Sequence, residues 1–247
     1  MKKFLSLFLL LIFLMMADSA MAVSWKNLAP GIDYTSIPNT KPQSFGYIHC
    51  FKINLEKNTL ESALAKDDLF PAETVKWLAK SNHALIAVNG GFFTSSWEPI
   101  GLRIQHGDKR SSIQRTSWWP IFYIKNNTPY IVNEKDYTTD SAISFAVQAG
   151  PRLLQNGHIP NLKAGKAERT ALGITSQNEV IIVATEQWKL STTQLAHLLK
   201  EKLNCIDAMN LDGGSSTQLY AQIGDFQLDI GSFALITDIV YVHKKQL

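Results

Sequence analysis

Apolar and polar positions along this 247-residue chain change their spacing several times, and each change marks an element. FGYIHCFKINL, Phe45 to Leu55, is rich in aromatic and β-branched residues and reads as a strand. PAETVKWLAKSN, with Pro71 at a first helical turn, predicts a helix of about a dozen residues. ALIAVNGGFF opens on a continuous apolar run, the pattern of a strand buried on both faces. WPIFYIKNNTPYIVN predicts a hairpin turning at Asn126 and Asn127. ISFAVQAG predicts a strand that stops at Gly150-Pro151, and ERTALGITSQNEVIIVATE a second hairpin with its turn at Ser176 to Asn178. STTQLAHLLKEKL is the clearest helix: Ser191 and Gln194 fit a capping box, and Leu195, Leu198, Leu199 and Leu203 share one face. CIDAMNLDGG follows as a strand, and short strands near Gln227 and Ile239 close the chain.

Strands dominate, joined by hairpins, with two good helices. That predicts an α+β fold in a single domain, with a mixed, mostly antiparallel sheet and a few packed helices, over a regularly alternating doubly wound sheet. The domain proper spans 45–247. Pro30, Pro38 and Pro42 among Asn, Ser and Thr predict an irregular entry segment over 23–44. No internal repeat, low-complexity tract or linker is visible. Residues 1–22 are set apart as a signal peptide: Lys2 and Lys3 precede a run from Phe4 to Met16 that is apolar but for Ser6, and Ala20-Met21-Ala22 fits a small-x-small cleavage site. The run is too short for a span of about 20 residues. The expectation is an exported chain, periplasmic or secreted, with no stable membrane span after cleavage.

Charge narrows the partners. The formal balance is +3 with basic residues scattered, so there is no electrostatic footprint for nucleic acid. Cys50 and Cys205 are the only cysteines. An oxidising compartment allows one disulfide between them, and two buried free thiols are the equal alternative.

The candidate chemistry sits where strand-like runs end in glycine beside polar groups. There are four such places: VNGGFF at 88–93, QAGPRLL at 148–154, ERTALGI at 168–174 and NLDGGSST at 210–217. A glycine pair after a buried strand lets backbone approach a ligand closely, and consecutive N–H groups there can cradle an anion. Ser215, Ser216 and Thr217 could add hydroxyl donors, Arg152 and Arg169 offer planar forks suited to phosphate, and Glu168 and Asp212 are the adjacent carboxylates. Each piece alone is commonplace; four in one small domain are not.

In this order the four motifs resemble the phosphodiester glycosidase domain family, over roughly Phe45 to His243. The resemblance implies hydrolysis of the bond between a sugar anomeric carbon and a phosphate, on a small-molecule or glycan phosphodiester. It implies Asn89, Gly90 and Gly91 as pocket-forming, Arg152 and Arg169 as phosphate-facing, and Glu168 and Asp212 as acidic site residues. Asn210 and Gly213, Gly214, Ser215, Ser216 and Thr217 would be substrate-binding.

Chemistry agrees with that implication. Arginines and backbone N–H groups stabilise a departing phosphate. A carboxylate stabilises the oxocarbenium-like carbon, attacks it or activates water. A phosphate leaving group needs less protonation than an alcohol, so one carboxylate can suffice: Asp212, with Glu168 as partner. Two other readings stay open. One is a non-catalytic envelope protein that binds a phosphorylated glycan; the other is a metal-dependent phosphodiesterase cleaving P–O. No metal site is spelled out by spacing, but oxygens of Asp212, Glu168 or Asn89 could hold a divalent cation such as calcium. G-x-S-x-G, H-E-x-x-H and C-x-x-C are absent, and Gly213-Gly214 lacks a following P-loop lysine. His49, His83, His106 and His158 show no ligand spacing. Among aromatics, Trp97 in SSWEP is the candidate sugar platform, and Trp118-Trp119 reads as hairpin or core packing.

Overall fold

A computed structural model describes residues 23–67 and 70–245, so the leader expected over 1–22 lies outside the described residues. The strands number β1 to β19 in chain order. A seven-stranded sheet runs β1 (Lys26–Ala29), β2 (Ile32–Pro38), β3 (Tyr47–Ile53), β14 (Val180–Glu186), β13 (Thr170–Thr175), β16 (Cys205–Asn210), β11 (Arg152–Leu154). One five-stranded sheet runs β18 (Phe226–Ile230), β17 (Leu219–Ile223), β5 (Ile86–Asn89), β19 (Asp238–Lys244), β4 (Asn58–Leu64). Another runs β7 (Asp108–Ser111), β6 (Arg103–Gln105), β10 (Ile143–Gln148), β8 (Ile121–Lys125), β9 (Thr128–Val132). Strands β12 (Lys166–Ala167) and β15 (Leu190–Ser191) form a small ribbon.

The inner faces of the three large sheets meet in one core. Phe51, Leu172, Ile182 and Met209 come from the first sheet, Ile86, Val88, Leu219 and Val240 from the second, and Phe122, Phe145 and Val147 from the third. Each such side chain contributes roughly 1.5–3 kcal/mol by leaving water. Helix α1 (Val75–Ser81) covers the outer face of the second sheet, where Leu78 and Ala79 meet Ala87 and Ile239. Helix α2 (Thr192–His197), extended by a π turn over Leu198–Lys202, covers the outer face of the first, with Leu195 and Leu199 on Ile181 and Val183.

The architecture is thus mostly β, a layered form of the expected α+β domain. The expected mixed sheet is corrected: among the described residues every named strand pairing is antiparallel. β5 is buried on both faces as its apolar run predicts, yet it sits in an antiparallel sheet, because the core lies on one face and α1 on the other.

Two local expectations also change. The entry segment over 23–44 is not irregular. It folds as the β1–β2 hairpin, with Pro30 at the turn beside Gly31 (φ 75°) and Pro38 at the last position of its strand, both places where proline breaks no ladder. Helix α1 starts later than Pro71. Glu73 exchanges backbone hydrogen bonds with Ile236 (3.0 and 2.8 Å), which keeps that stretch extended until Thr74 caps the Trp77 N–H. Strand β4, which contains the polar residues Asn58, Thr59, Glu61 and Ser62, pairs with β19 along its whole length. The two predicted hairpins and the Ser191–Gln194 capping box form as expected, with Asn126 and Asn127 both at positive φ.

Cys50 and Cys205 are both buried free thiols. They stand on β3 and β16, with β14 and β13 between them. At about 4.8 Å per strand step their Cα atoms are too far apart for a bridge.

Candidate active site

The four glycine-ended motifs come together at one junction, and Asn89 is its pin. At the end of β5 its side chain donates from Nδ2 to the Asp212 carbonyl (2.8 Å). Its Oδ1 accepts from the Thr170 hydroxyl (2.6 Å) and from the Gln218 N–H (3.3 Å). One buried amide thus ties β5 to the start of β13, to the loop after β16 and to β17. The backbone repeats the linkage: Asp212 N–H donates to Gly90 O (3.2 Å), Leu211 N–H to Thr170 O (2.9 Å) and Gly214 N–H to Glu168 O (2.8 Å). The QAGPRLL motif joins through Asn210, whose N–H donates to Pro151 O (3.0 Å) and whose Nδ2 donates to Gly150 O (3.3 Å) and to Leu211 O. Gly150-Pro151 is a cis peptide.

Behind the junction lies an ion pair that sequence reasoning missed. Arg103 on β6 is fully buried and donates from Nε to Asp238 Oδ2 at 2.7 Å; Asp238 on β19 is equally buried. The remaining Arg103 donors go to the carbonyls of Gln148 (3.0 Å), Leu102 (3.1 Å) and Phe92 (3.4 Å), so the charge is fully hydrogen-bonded. This pair explains the glycines of VNGGFF. A Cβ at Gly90 would overlap the Asp238 carboxylate, and one at Gly91 would overlap the Arg103 guanidinium. The close approach these glycines permit is to the protein's own ion pair. Neither Arg103 nor Asp238 carries a local signal; only their burial marks them.

Asp212 is half-buried in front of that pair. Burial pushes its carboxyl above the ordinary carboxylate range, opposed by hydrogen bonds from the Ser216 side chain and the Gly213 N–H (2.8 Å), with Asp238 pushing further up and Arg103 pulling down. Ser216 and Thr217 are buried, and Ser215 is exposed. Gly214 adopts φ 64°, a left-handed conformation that suits glycine and turns the loop into its short 3₁₀ turn over Gly214–Ser216.

The remaining predicted residues separate. Arg169 is half-buried and donates from Nε to Leu190 O (2.9 Å) and from Nη2 to Gly165 O (2.7 Å). That leaves three of the five guanidinium N–H groups without a described acceptor. Arg152 uses four: to Leu154 O (3.0 Å), Asn133 Oδ1 (3.2 Å), Ile131 O (2.9 Å) and Asp207 Oδ1 (2.5 Å). It braces β11 against β9 and β16. Glu168 contributes its backbone carbonyl to the junction. Both lone pairs of Asn89 Oδ1 are taken, and among the described residues no three His, Cys, Asp or Glu side chains are grouped to hold a metal. Trp97 stacks on Phe93 (5.5 Å), Trp118 is 56% exposed beside the junction, and Trp119 packs on Phe92 (4.7 Å).

Several polar atoms at this junction lack partners. Of the five buried side-chain polar atoms without a hydrogen bond among the described residues, three belong here: Asn210 Oδ1, Thr217 Oγ1 and Trp119 Nε1. Asn210 and Thr217 are only 3% and 2% exposed. Unpaired buried polar atoms are costly, and their concentration at one place points to a bound ligand or water there.

These strand ends and glycine loops define a chain of the phosphodiester glycosidase family: that family's model matches residues 82–242, and this protein belongs to it. The match takes in all four motifs. Uncharacterized protein YigE of Escherichia coli is 30% identical over 141 residues, covering 52% of this chain and 55% of YigE, so the match spans about half the length of that relative. Two solved structures share the fold. A hypothetical protein from Synechocystis aligns with a TM-score of 0.67 at 16% identity, over 92% of this chain and 64% of its own. The catalytic domain of zebrafish N-acetylglucosamine-1-phosphodiester alpha-N-acetylglucosaminidase, auto-inhibited by its pro-peptide, aligns with a TM-score of 0.67 at 18% identity, over 91% and 87%. Among the described residues no helix is long and apolar enough to cross a membrane.

Proposed function

We propose that this protein hydrolyses the bond between a sugar anomeric carbon and the phosphate of a phosphodiester, with Asp212 as the working carboxylate. Water's oxygen bonds to the anomeric carbon, the C–O bond to phosphate breaks, and the phosphate departs as a monoester. The proton released from water passes through Asp212 to solvent. Arg169 holds the phosphate with its free donors, and the Gly213 to Thr217 loop with Asn210 completes the polar wall. Glu168, whose backbone carbonyl accepts from the Gly214 N–H (2.8 Å), is the partner carboxylate in this proposal.

The observation that carries this reading is Asp212 itself. It is a carboxylate held where four motifs meet, with its proton affinity raised by burial, as suits a group that exchanges protons during turnover. Export belongs to the same proposal and rests on the Lys2 to Ala22 pattern; mass spectrometry of the cell-derived protein reads whether it begins at Val23.

The zebrafish neighbour acts on an N-acetylglucosamine 1-phosphodiester, so UDP-N-acetylglucosamine and simple sugar 1-phosphate diesters are the probes. Hydrolysis in ¹⁸O water should place the label in the sugar. Label in the phosphate would instead mean P–O cleavage. No turnover across a broad panel would leave a binder of phosphorylated glycans.

A further inference from the structure

Two cavities beside the junction form one trough. A cavity of about 650 Å³ and one of about 460 Å³ share Trp118, Pro151, Asn161 and Leu162 in their walls. Each falls within the size range of small-ligand sites. Neither Asp212 nor Glu168 lines them; the trough reaches the junction through Pro151, whose carbonyl Asn210 holds, and through Arg169.

Its charge is one-sided. Arg115, Lys135, Arg152, Lys163 and Arg169 line it against the single carboxylate of Glu134. The whole chain carries 24 basic and 21 acidic residues, so this excess is local. Glu134 offsets Arg115 (2.9 Å) and Asp207 offsets Arg152 (2.5 Å). Lys135, Lys163 and Arg169 have no carboxylate partner among the described residues. They also have an order: Lys163 and Arg169 belong to the smaller cavity, Lys135 to the larger, and Trp118 to both. The Trp118 indole is edge-on to Trp119 (5.4 Å, 79°), which packs on Phe92. It is therefore a large amphipathic ring, steadied by its neighbours and open to solvent, between two groups of uncompensated cations.

We propose that this trough binds a polymeric substrate of repeating sugar–phosphate units, one sugar ring stacking on Trp118 and the flanking phosphates pairing with Lys163 on one side and Lys135 on the other. It rests on the phosphodiester glycosidase reading and deepens it: a short diester fills only the Asp212 junction and its Arg169 edge, whereas cations on both sides of one aromatic platform match a phosphate–sugar–phosphate repeat.

The test separates binding from turnover. Calorimetry on the Asp212→Asn chain, in which turnover should be at least about a hundredfold slower, uses a poly(N-acetylglucosamine 1-phosphate) chain as probe and chitohexaose as neutral control. The polymer should bind at least about tenfold tighter than chitohexaose, with an affinity that falls as salt rises. Trp118→Ala and Lys163→Ala, both at the trough wall, should each weaken polymer binding about tenfold. In the otherwise unaltered chain they should lower kcat/KM for the polymer while leaving that for the methyl diester of N-acetylglucosamine 1-phosphate unchanged. Polymer affinity untouched by both substitutions, or chitohexaose bound equally well, overturns the proposal even if short diesters are cleaved. Equal loss on short and long substrates overturns it too, since the trough would then belong to the minimal site. If no diester is cleaved at all, the glycosidase reading falls, while the polymer affinity and its response to Trp118→Ala still decide the trough.

Discussion

At the scale of single residues, Asp212 is where fold and chemistry meet. Asp212→Asn keeps the shape and the bond from the Gly213 N–H but loses the charge, so turnover should fall at least about a hundredfold, as for a positioned acid–base group. Stability should move the other way with pH. Because the folded-state pKa is raised, the native chain holds this proton more tightly than the unfolded chain, and native stability declines as pH rises from the ordinary Asp value of about 3.9 through the raised one. The asparagine variant escapes that decline, so its melting temperature relative to the native chain should climb between pH 3 and pH 7. The same raised pKa sets the acid limb of kcat/KM above the ordinary carboxylate range, with activity rising with pH; a limb near the ordinary value of about 3.9 would remove Asp212 from the rate-controlling ionisation. The two arginines should now behave differently. Arg169→Lys loses the fork and its free donors and should lower kcat more than it weakens a non-hydrolysable phosphonate diester. Arg152→Lys breaks a brace among Asp207, Asn133 and Ile131, so its main cost should appear in thermal unfolding.

At the scale of elements, the buried Arg103–Asp238 pair locks β6 to β19 underneath the Gly90–Gly91 turn. Arg103→Met leaves Asp238 buried without its partner and should cost about 3–5 kcal/mol in denaturant unfolding. Adding Asp238→Leu removes the stranded charge and should recover much of that stability. If the single and double variants unfold alike, the pair is not coupled. Any recovery of stability without activity would separate the pair's role in shaping the turn from its role in folding. Helix α2 illustrates how far local signals reach. Ser191 and Gln194 announce its start, and the leucine spacing announces the face that covers the first sheet. The π turn that lets Leu203 N–H reach Leu198 O (3.2 Å) has no comparable signature.

At the scale of the whole molecule, three antiparallel sheets enclose one core, and both thiols end up deep within the layers. Burial raises the pKa of Cys50 and Cys205, which suppresses the reactive thiolate. Native protein should resist iodoacetamide, and denatured protein without reductant should take up two alkyl groups. Loss of either group on unfolding would mean the thiols had been oxidised or paired elsewhere.

About half of the strands, both predicted hairpins, the capping box and the four glycine motifs were legible in the sequence, because each depends on neighbours a few residues away: alternation, turn residues at positive φ, a cap three residues from its partner. The NLDGGSST motif could also be placed at a strand end from its apolar lead-in alone. Spatial relations were not legible. The sequence does not say that Asn89 and Asn210 pin the four motifs together, that the space beside Gly90 and Gly91 is filled by Arg103 and Asp238, or that β13 and β14 separate the two cysteines. Nor does it say that Trp118, not Trp97, stands over the trough, or that Arg152 is consumed as a brace while Arg169 keeps donors free. Those facts depend on pairings between residues up to 148 positions apart, as for Gly90 and Asp238, and no local pattern encodes which distant groups will share a hydrogen bond or a buried charge.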